Sequence, residues 1–192
     1  MAMAIRGTVL RATGVVLSAL VSVAVMTSPA QAQDTTYFDS FEDNPDDRWS
    51  WSTWYDGNTG YDIQRGLART GANNGWLTAE TGGASFNRYV EFPRSAGQCA
   101  GEVYVKPSTD DTVMTLDVWA LDPNDTGGYD WHLRNSSRHQ LNAGDYQAIG
   151  FGTTPTVYGG TVRLQYWVTL NGGGAGNFKM ARVDDFFVRC WW

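Results

Sequence analysis

Basic residues are scarce in this sequence: 14 Lys and Arg stand against 20 Asp and Glu, and nowhere do they form a run. Holding a phosphate backbone or an anionic membrane surface takes clustered Lys and Arg, so nucleic acid and membranes are not expected partners. Cysteine and histidine are rarer still, with two of each. His132 and His139 lie far in sequence from either cysteine, which makes a zinc site unpromising. The G-x-S-x-G, H-E-x-x-H and Walker patterns are missing, and with them the commonest signatures of hydrolases, metalloproteases and nucleotide-binding enzymes. There is no internal repeat and no Pro-rich linker; NGGGAG at Asn171–Gly176 reads as a loop tip. An apolar period of 3.6 residues nowhere persists, so long helices are not expected.

The one long apolar run is at the start. Arg6 and Arg11 precede VVLSALVSVAVM (Val15–Met26), and SPAQA follows with Ala30 and Ala32 spaced as an A-x-A cleavage site. That order predicts a secretory signal peptide over residues 1–32, too short in its apolar part for a membrane span. Removing it takes two arginines and no acids. The remaining domain, 33–192, then carries 12 basic and 20 acidic residues, a net charge of −8, and is long enough for one real core. Export also decides how the cysteines read. Cys99 and Cys190, an even count in an oxidising compartment, are expected to form a disulfide rather than two free buried thiols.

What the exported part has in abundance is alternation. In TVMTLDVWALD (Thr112–Asp122), Met114, Leu116, Val118 and Ala120 point one way and Thr115, Asp117 and Trp119 the other. In TVRLQYWVTL (Thr161–Leu170), Val162, Leu164, Tyr166, Val168 and Leu170 oppose Arg163, Gln165, Trp167 and Thr169. Val103 and Val105 oppose Glu102, Tyr104 and Lys106. Phe86, Val90 and Phe92 oppose Asn87, Tyr89 and Glu91, with Arg88 an exception on the apolar side. Strands of this kind bury one face and wet the other. Roughly nine to eleven of them, broken by Gly, Asn, Asp and Pro, predict a single all-β domain built as a sandwich or barrel.

Aromatic rings among charged neighbours on wet faces are hard to explain as core. Trp119 beside Asp117, and Trp167 beside Arg163 and Gln165, are the leading candidates for a binding surface; Tyr89 and Tyr104 hold equivalent positions. A sandwich has two outer faces, so the four are not all expected in one groove. GYDWHLRNSSRH (Gly128–His139) adds Trp131 and Tyr129, alternating with Asp130, His132 and Arg134.

Three short segments occur in a telling order: YFDSFEDN near the start of the exported part, ARTGANNGWL in its middle and ARVDDFFV near its end. In this the chain resembles the jelly-roll carbohydrate-binding modules of the cellulose- and xylan-binding type, within the galactose-binding-like group. The resemblance implies a jelly-roll β-sandwich that binds glycans on aromatic rings. It also implies a structural calcium ion held by Glu42, by backbone oxygens near Ser40 and Thr70, and by Asp184 or Asp185, although Asp39-Ser40 replaces the family's opening Asn-Gly. Calcium's taste for six to eight hard oxygens fits such a set. The family's core tryptophan matches Trp49 in RWSWSTWYDG. On a strand Trp51 would share its face, while Trp54 would lie opposite and, with Tyr55, reach a surface.

Three functional classes remain on these grounds. The first is a secreted, non-catalytic protein that binds a neutral polysaccharide, a ligand suited to a charge of −8. The second is a small jelly-roll lyase or glycoside hydrolase, since Tyr, His, Arg, Gln and paired acids are all present. The third is a calcium-stabilised adhesion or inhibitor domain. The first step common to all three is export. Intact-mass analysis of the secreted protein should find Gln33, or its pyroglutamate form, at the N-terminus; retention of Val15–Met26 would argue for an anchored protein instead.

Overall fold

A computed structural model describes residues 34–92, 97–123, 126–153 and 161–191. The predicted leader, 1–32, lies outside the described residues. Among these, eleven strands follow one another: β1 (Asp34–Asp39), β2 (Ser50–Trp54), β3 (Asn58–Ile63), β4 (Asn73–Ala79), β5 (Gly83–Phe92), β6 (Gln98–Pro107), β7 (Thr112–Pro123), β8 (Tyr129–Leu141), β9 (Gln147–Thr153), β10 (Val162–Asn171) and β11 (Lys179–Trp191). A 3-10 turn, Pro45–Asp47, separates β1 from β2. No helix among the described residues is long and apolar enough to cross a membrane.

The strands form two antiparallel sheets packed as a jelly-roll sandwich. One has the order β3-β4-β11-β6-β9, with β1 also on β11; the other has the order β2-β5-β10-β7-β8. Strand β11 organises the first sheet. Its opening half pairs with β4 up to Val183, its closing half with β1 from Phe186, and β6 runs along its other side with an irregular register between Asp184 and Phe187.

The alternation read from the sequence is the alternation of the core. Met114, Leu116, Val118 and Ala120 from β7, and Val162, Leu164, Tyr166, Val168 and Leu170 from β10, are all sealed between the sheets with Phe86, Phe92, Val103 and Val105. Trp49 is buried, stacked on Phe41 at 4.7 Å between centroids. Gly75 of β4 explains part of this packing, because a Cβ there would meet both Phe86 and Phe41. Trp51 departs from expectation. Its register opposite Phe86 does turn it to the core side, but β2 is the edge of its sheet and the ring is 58% exposed.

Cys99 and Cys190 face each other across the β6–β11 pair and form a disulfide, with Cα atoms 4.0 Å apart. The bridge spans 91 residues of chain, and on chain-entropy grounds closing such a loop stabilises the fold by about 4 kcal/mol. Arg88, the sequence exception, also has a structural role. It lies where β5 outruns its partner β2, and its Nε donates to the Tyr37 hydroxyl (2.6 Å) and its Nη1 to the Arg48 carbonyl (2.5 Å).

Beside it, buried Asp39 accepts from Arg48 Nε (2.8 Å) and Nη2 (3.1 Å), from the Phe41 amide (2.9 Å) and from the Tyr37 hydroxyl (3.0 Å). Burial works to raise the Asp39 pKa, but Arg48 and these other donors outweigh it and hold it below its usual value. A depressed carboxylate contributes stability above its unfolded pKa and loses it as pH falls through the folded one. Arg48→Ala should therefore cost about 2 kcal/mol at pH 7, with Arg88 at 3.8 Å as the remaining cation. It should also flatten the loss of stability below about pH 4; acid melts indistinguishable from the parent would contradict this account.

Candidate functional site

The outer face of the second sheet gathers most of the aromatic residues that the sequence marked. The register sets them in rows. Tyr89 of β5 lies opposite Gln165 of β10, which lies opposite Trp119 of β7, which lies opposite Leu133 of β8. One row along stand Asn87, Trp167, Asp117 and Ser136; on the other side Glu91 faces Arg163, and Trp131 faces Leu121. Trp119 and Trp167 are thus diagonal neighbours on adjacent strands, the distance at which large rings act together.

The face is strongly curved. Strands β5 and β8 are separated by β10 and β7, about 14 Å across a flat sheet at ~4.8 Å per strand. Yet the Tyr89 and Trp131 rings meet edge to face with centroids 6.0 Å apart. They lean toward each other over the row that holds Gln165 and Trp119. A second sign of concavity is that Ser85, Asn87 and Thr169, which point outward by register, are buried. They form a polar floor with their neighbours: Ser85 Oγ donates to Asn87 Oδ1 (3.2 Å), Asn87 Nδ2 to Ser52 Oγ (3.3 Å), and Asn171 Nδ2 to Thr115 Oγ1 (3.1 Å). Trp54 borders this end of the face. Its ring lies over Gly83, where any Cβ would overlap the indole, so glycine is what lets the ring lie flat.

The chemistry on offer is mixed. Trp119 and Trp167 are each partly exposed, but their indole N–H groups are sealed from solvent and find no acceptor among the described residues. What these rings present to the groove is therefore carbon. Tyr89, 42% exposed, donates its hydroxyl to Glu91 (2.8 Å), and Glu91 in turn pairs with Arg163 at 3.4 Å. Burial, followed by the Glu91 hydrogen bond, pushes the Tyr89 pKa up to about 12.

Of the residues singled out in the sequence, Trp119, Trp167, Tyr89, Asp117, Arg163, Gln165, Trp54 and Trp131 share this face. Tyr104 does not: it belongs to β6 in the other sheet, with the Arg69 guanidinium 3.5 Å above its ring and its hydroxyl on Glu102. His132 and His139 pair with Ala120 and Met114, which puts them on the side of β8 away from the aromatic groove. Sequence reasoning passed over the floor residues Ser52, Ser85, Asn87, Thr115, Thr169 and Asn171. The alternation had already set Asn87, Thr115 and Thr169 on wet faces; nothing local showed that this face was concave.

A separate cluster joins the three segments that carried the family resemblance. Glu42 Oε1 accepts the Ala72 (2.8 Å) and Asn73 (2.7 Å) amides, while Asp184 Oδ2 accepts those of Arg69 (2.6 Å) and Thr70 (3.2 Å). The two carboxylates thus bracket the 69–73 turn from either end. Arg69 and the Thr70 hydroxyl pair with Asp185 instead, both at 2.5 Å. Asp184 is fully buried, and burial pushes its pKa up to about 6, with the Asp185 charge adding to the rise. Carboxylate oxygens are the right chemistry for calcium, but those of Glu42 and Asp184 are met here by backbone N–H groups. No three Asp, Glu, His or Cys side chains among the described residues form a metal-binding group, so backbone oxygens would have to supply much of the coordination.

No family model matches the sequence, and no curated protein matches it. Solved structures do match the fold. The CBM22-2 xylan-binding domain from Paenibacillus barcinonensis Xyn10C superposes with a TM-score of 0.52 at 14% identity, over 80% of this chain and 98% of that one. A structure of carbohydrate-binding modules from the β-sandwich superfamily gives 0.53 at 16% identity, over 80% and 60% of the two chains. The CBM22-1–GH10 modules of Clostridium thermocellum endo-1,4-β-D-xylanase 10B, complexed with xylohexaose, give 0.51 at 18%, over 79% of this chain and 28% of that one. The chain has the β-sandwich fold of carbohydrate-binding modules.

Proposed function

We propose that this chain is an exported, non-catalytic protein that binds a neutral polysaccharide along the concave outer face of its second sheet. The observation that carries the reading is the convergence of Trp54, Tyr89, Trp119, Trp131 and Trp167 on one curved face, with Asp117, Arg163, Gln165 and Asn87 between them. A pyranose ring has an apolar C–H face that stacks on a π-surface, and hydroxyls that such polar side chains address. The carbon faces of Trp119 and Trp167 suit stacking. The fold's likeness to modules that bind xylan and other glycans supports the same conclusion.

The same groove supports binding without cleavage. A lyase needs a base to remove a proton, and a Tyr89 with its pKa pushed up to about 12 is a poor one. Both histidines stand off the face. A chain of net charge −8 after export would also repel uronates.

Stacking on one ring contributes roughly 1–2 kcal/mol by analogy with aromatic pairs, so losing it weakens binding about 5- to 30-fold. Affinity electrophoresis or calorimetry against β-glucan, xylan and mannan should show that loss for Trp119→Ala and Trp167→Ala, with little dependence on salt. If both variants keep the parent's melting temperature and affinity, these rings are not the platform. Reducing or unsaturated ends accumulating in the same mixtures would mean a hydrolase or lyase.

The structural calcium belongs to this proposal. Glu42 and Asp184 would hold it, with backbone oxygens near Ser40 and Thr70. Backbone strain supports the site: Phe41 (φ 59°) and Asp43 (φ 55°) flank Glu42, and Asp185 (φ 45°) follows Asp184, all in the left-handed region that non-glycine residues avoid. A ligand that binds only the folded form stabilises it by mass action. Excess chelator should therefore lower the melting temperature, and Glu42→Ala should remove that sensitivity. Identical melting curves with calcium and with chelator would rule the ion out.

A further inference from the structure

The sandwich has a second opening, away from the aromatic face. Strand β2 is the edge of one sheet and β3 the edge of the other, and the chain turns the corner between them through residues 55–57. The two edges do not close on each other. Between them lies a cavity of about 390 Å³ lined by Asp46, Trp51, Thr53, Asn58, Thr59, Gly60 and Tyr61. Trp51 and Thr53 enter from the core side of β2, opposite Phe86 and Ala84. Thr59 and Tyr61 enter from the core side of β3, opposite Leu77 and Gly75.

Its composition is that of a recognition site rather than of a packing defect. The Tyr61 ring forms the floor, stacked on core Phe86 at 5.4 Å between centroids and 25° between planes, so it is held rigidly. Its hydroxyl is sealed from solvent beside the Asp46 carboxylate, and burial, followed by the charge and hydrogen bonding of Asp46, raises its pKa. Trp51 stands at the mouth with more than half its surface exposed. A large ring on the core side of a strand that nonetheless stays wet leaves apolar surface unused. Around these two rings stand a carboxylate (Asp46), an amide (Asn58) and two threonine hydroxyls (Thr53, Thr59).

We infer that this edge pocket is a second binding site, for one or two residues of a neutral sugar. The volume lies at the small end of the ~300–1,000 Å³ usual for small-molecule pockets, which suits a short ligand better than a long chain. Two aromatic rings with donors and acceptors on both sides match a pyranose: carbon faces to stack, hydroxyls to bond. The Asp46 carboxylate, with no Lys or Arg in the lining, disfavours uronates and sulfated sugars. The site shares no lining residue with the outer-face groove, so the two stand or fall separately.

Two-dimensional NMR of the exported domain, titrated with cellobiose, xylobiose, mannobiose and galactobiose, tests this. The Trp51 indole N–H and Asn58 side-chain amide signals should shift saturably with at least one disaccharide. Trp51→Ala, at an exposed position, should leave the melting temperature unchanged and weaken that binding about five- to ten-fold, as should Asn58→Ala. The double variant Trp119→Ala/Trp167→Ala should not affect it. If only the Trp119 and Trp167 signals move, the edge pocket is not a site and the outer-face reading stands. If only Trp51 and Asn58 move, the edge pocket stands and the outer-face reading falls. If neither set moves with any of the four sugars, the edge-pocket assignment is overturned. Loss of the Trp51 and Asn58 shifts on dilution to monomer would mean that a second copy of the chain fills the pocket, and would overturn it too.

Discussion

Strand β11 is the constraint on which the rest of the structure depends. Its thirteen residues hydrogen-bond to β6 on one side, and to β4 and then β1 on the other. A strand that leaves β4 for β1 midway needs a local break in regularity, and it comes at Asp184–Phe187, where the register against β6 slips and Asp185 turns left-handed. There Asp184 and Asp185 receive residues 69 and 70 of the turn, and Glu42 receives the Ala72 and Asn73 amides. The Cys99–Cys190 bridge then locks the far end of the same strand to β6. The beginning, middle and end of the domain are fastened within one element.

The second sheet is the curved one. Its inner face is apolar and packed, and on its outer face Tyr89 and Trp131 close over the row between them. Curvature does two things to the chemistry. It shields Ser85, Asn87 and Thr169 from bulk water, which strengthens hydrogen bonds made to them. It also turns separate rings on four strands into walls and a floor. A flat sheet with the same residues would offer isolated platforms.

The two edges of the sandwich differ in the same physical terms. Where β1 comes beside the free half of β5, a cavity of about 360 Å³ is lined by charged groups, with Arg48 and Arg88 both turned to the Asp39 carboxylate. Where β2 faces β3, the opening is lined by rings and small polar groups with no cation among them. Both leave a cavity, the first lined by ion-paired charges and the second by rings. Edge strands must be covered, charged or shortened, and this fold uses a different solution on each side.

The sequence by itself determined which side of each strand faces the core, because side chains alternate with a period of two and a slip would expose the whole apolar set. From Met114 to Ala120 and from Val162 to Leu170, that argument placed every inward residue, and it set Trp119 and Trp167 outward. It also led to the Cys99–Cys190 bridge, through the even cysteine count and the expectation of export. What only the tertiary structure decided was strand order. Tyr89 and Tyr104 have the same local pattern, yet β5 lies two strands from Trp119 in one sheet and β6 lies in the other. Trp51 shows the same limit: its alternation is that of a core residue, and it is exposed because β2 is an edge. Pairing partners and sheet curvature come from contacts between segments distant in sequence, and no local pattern encodes them.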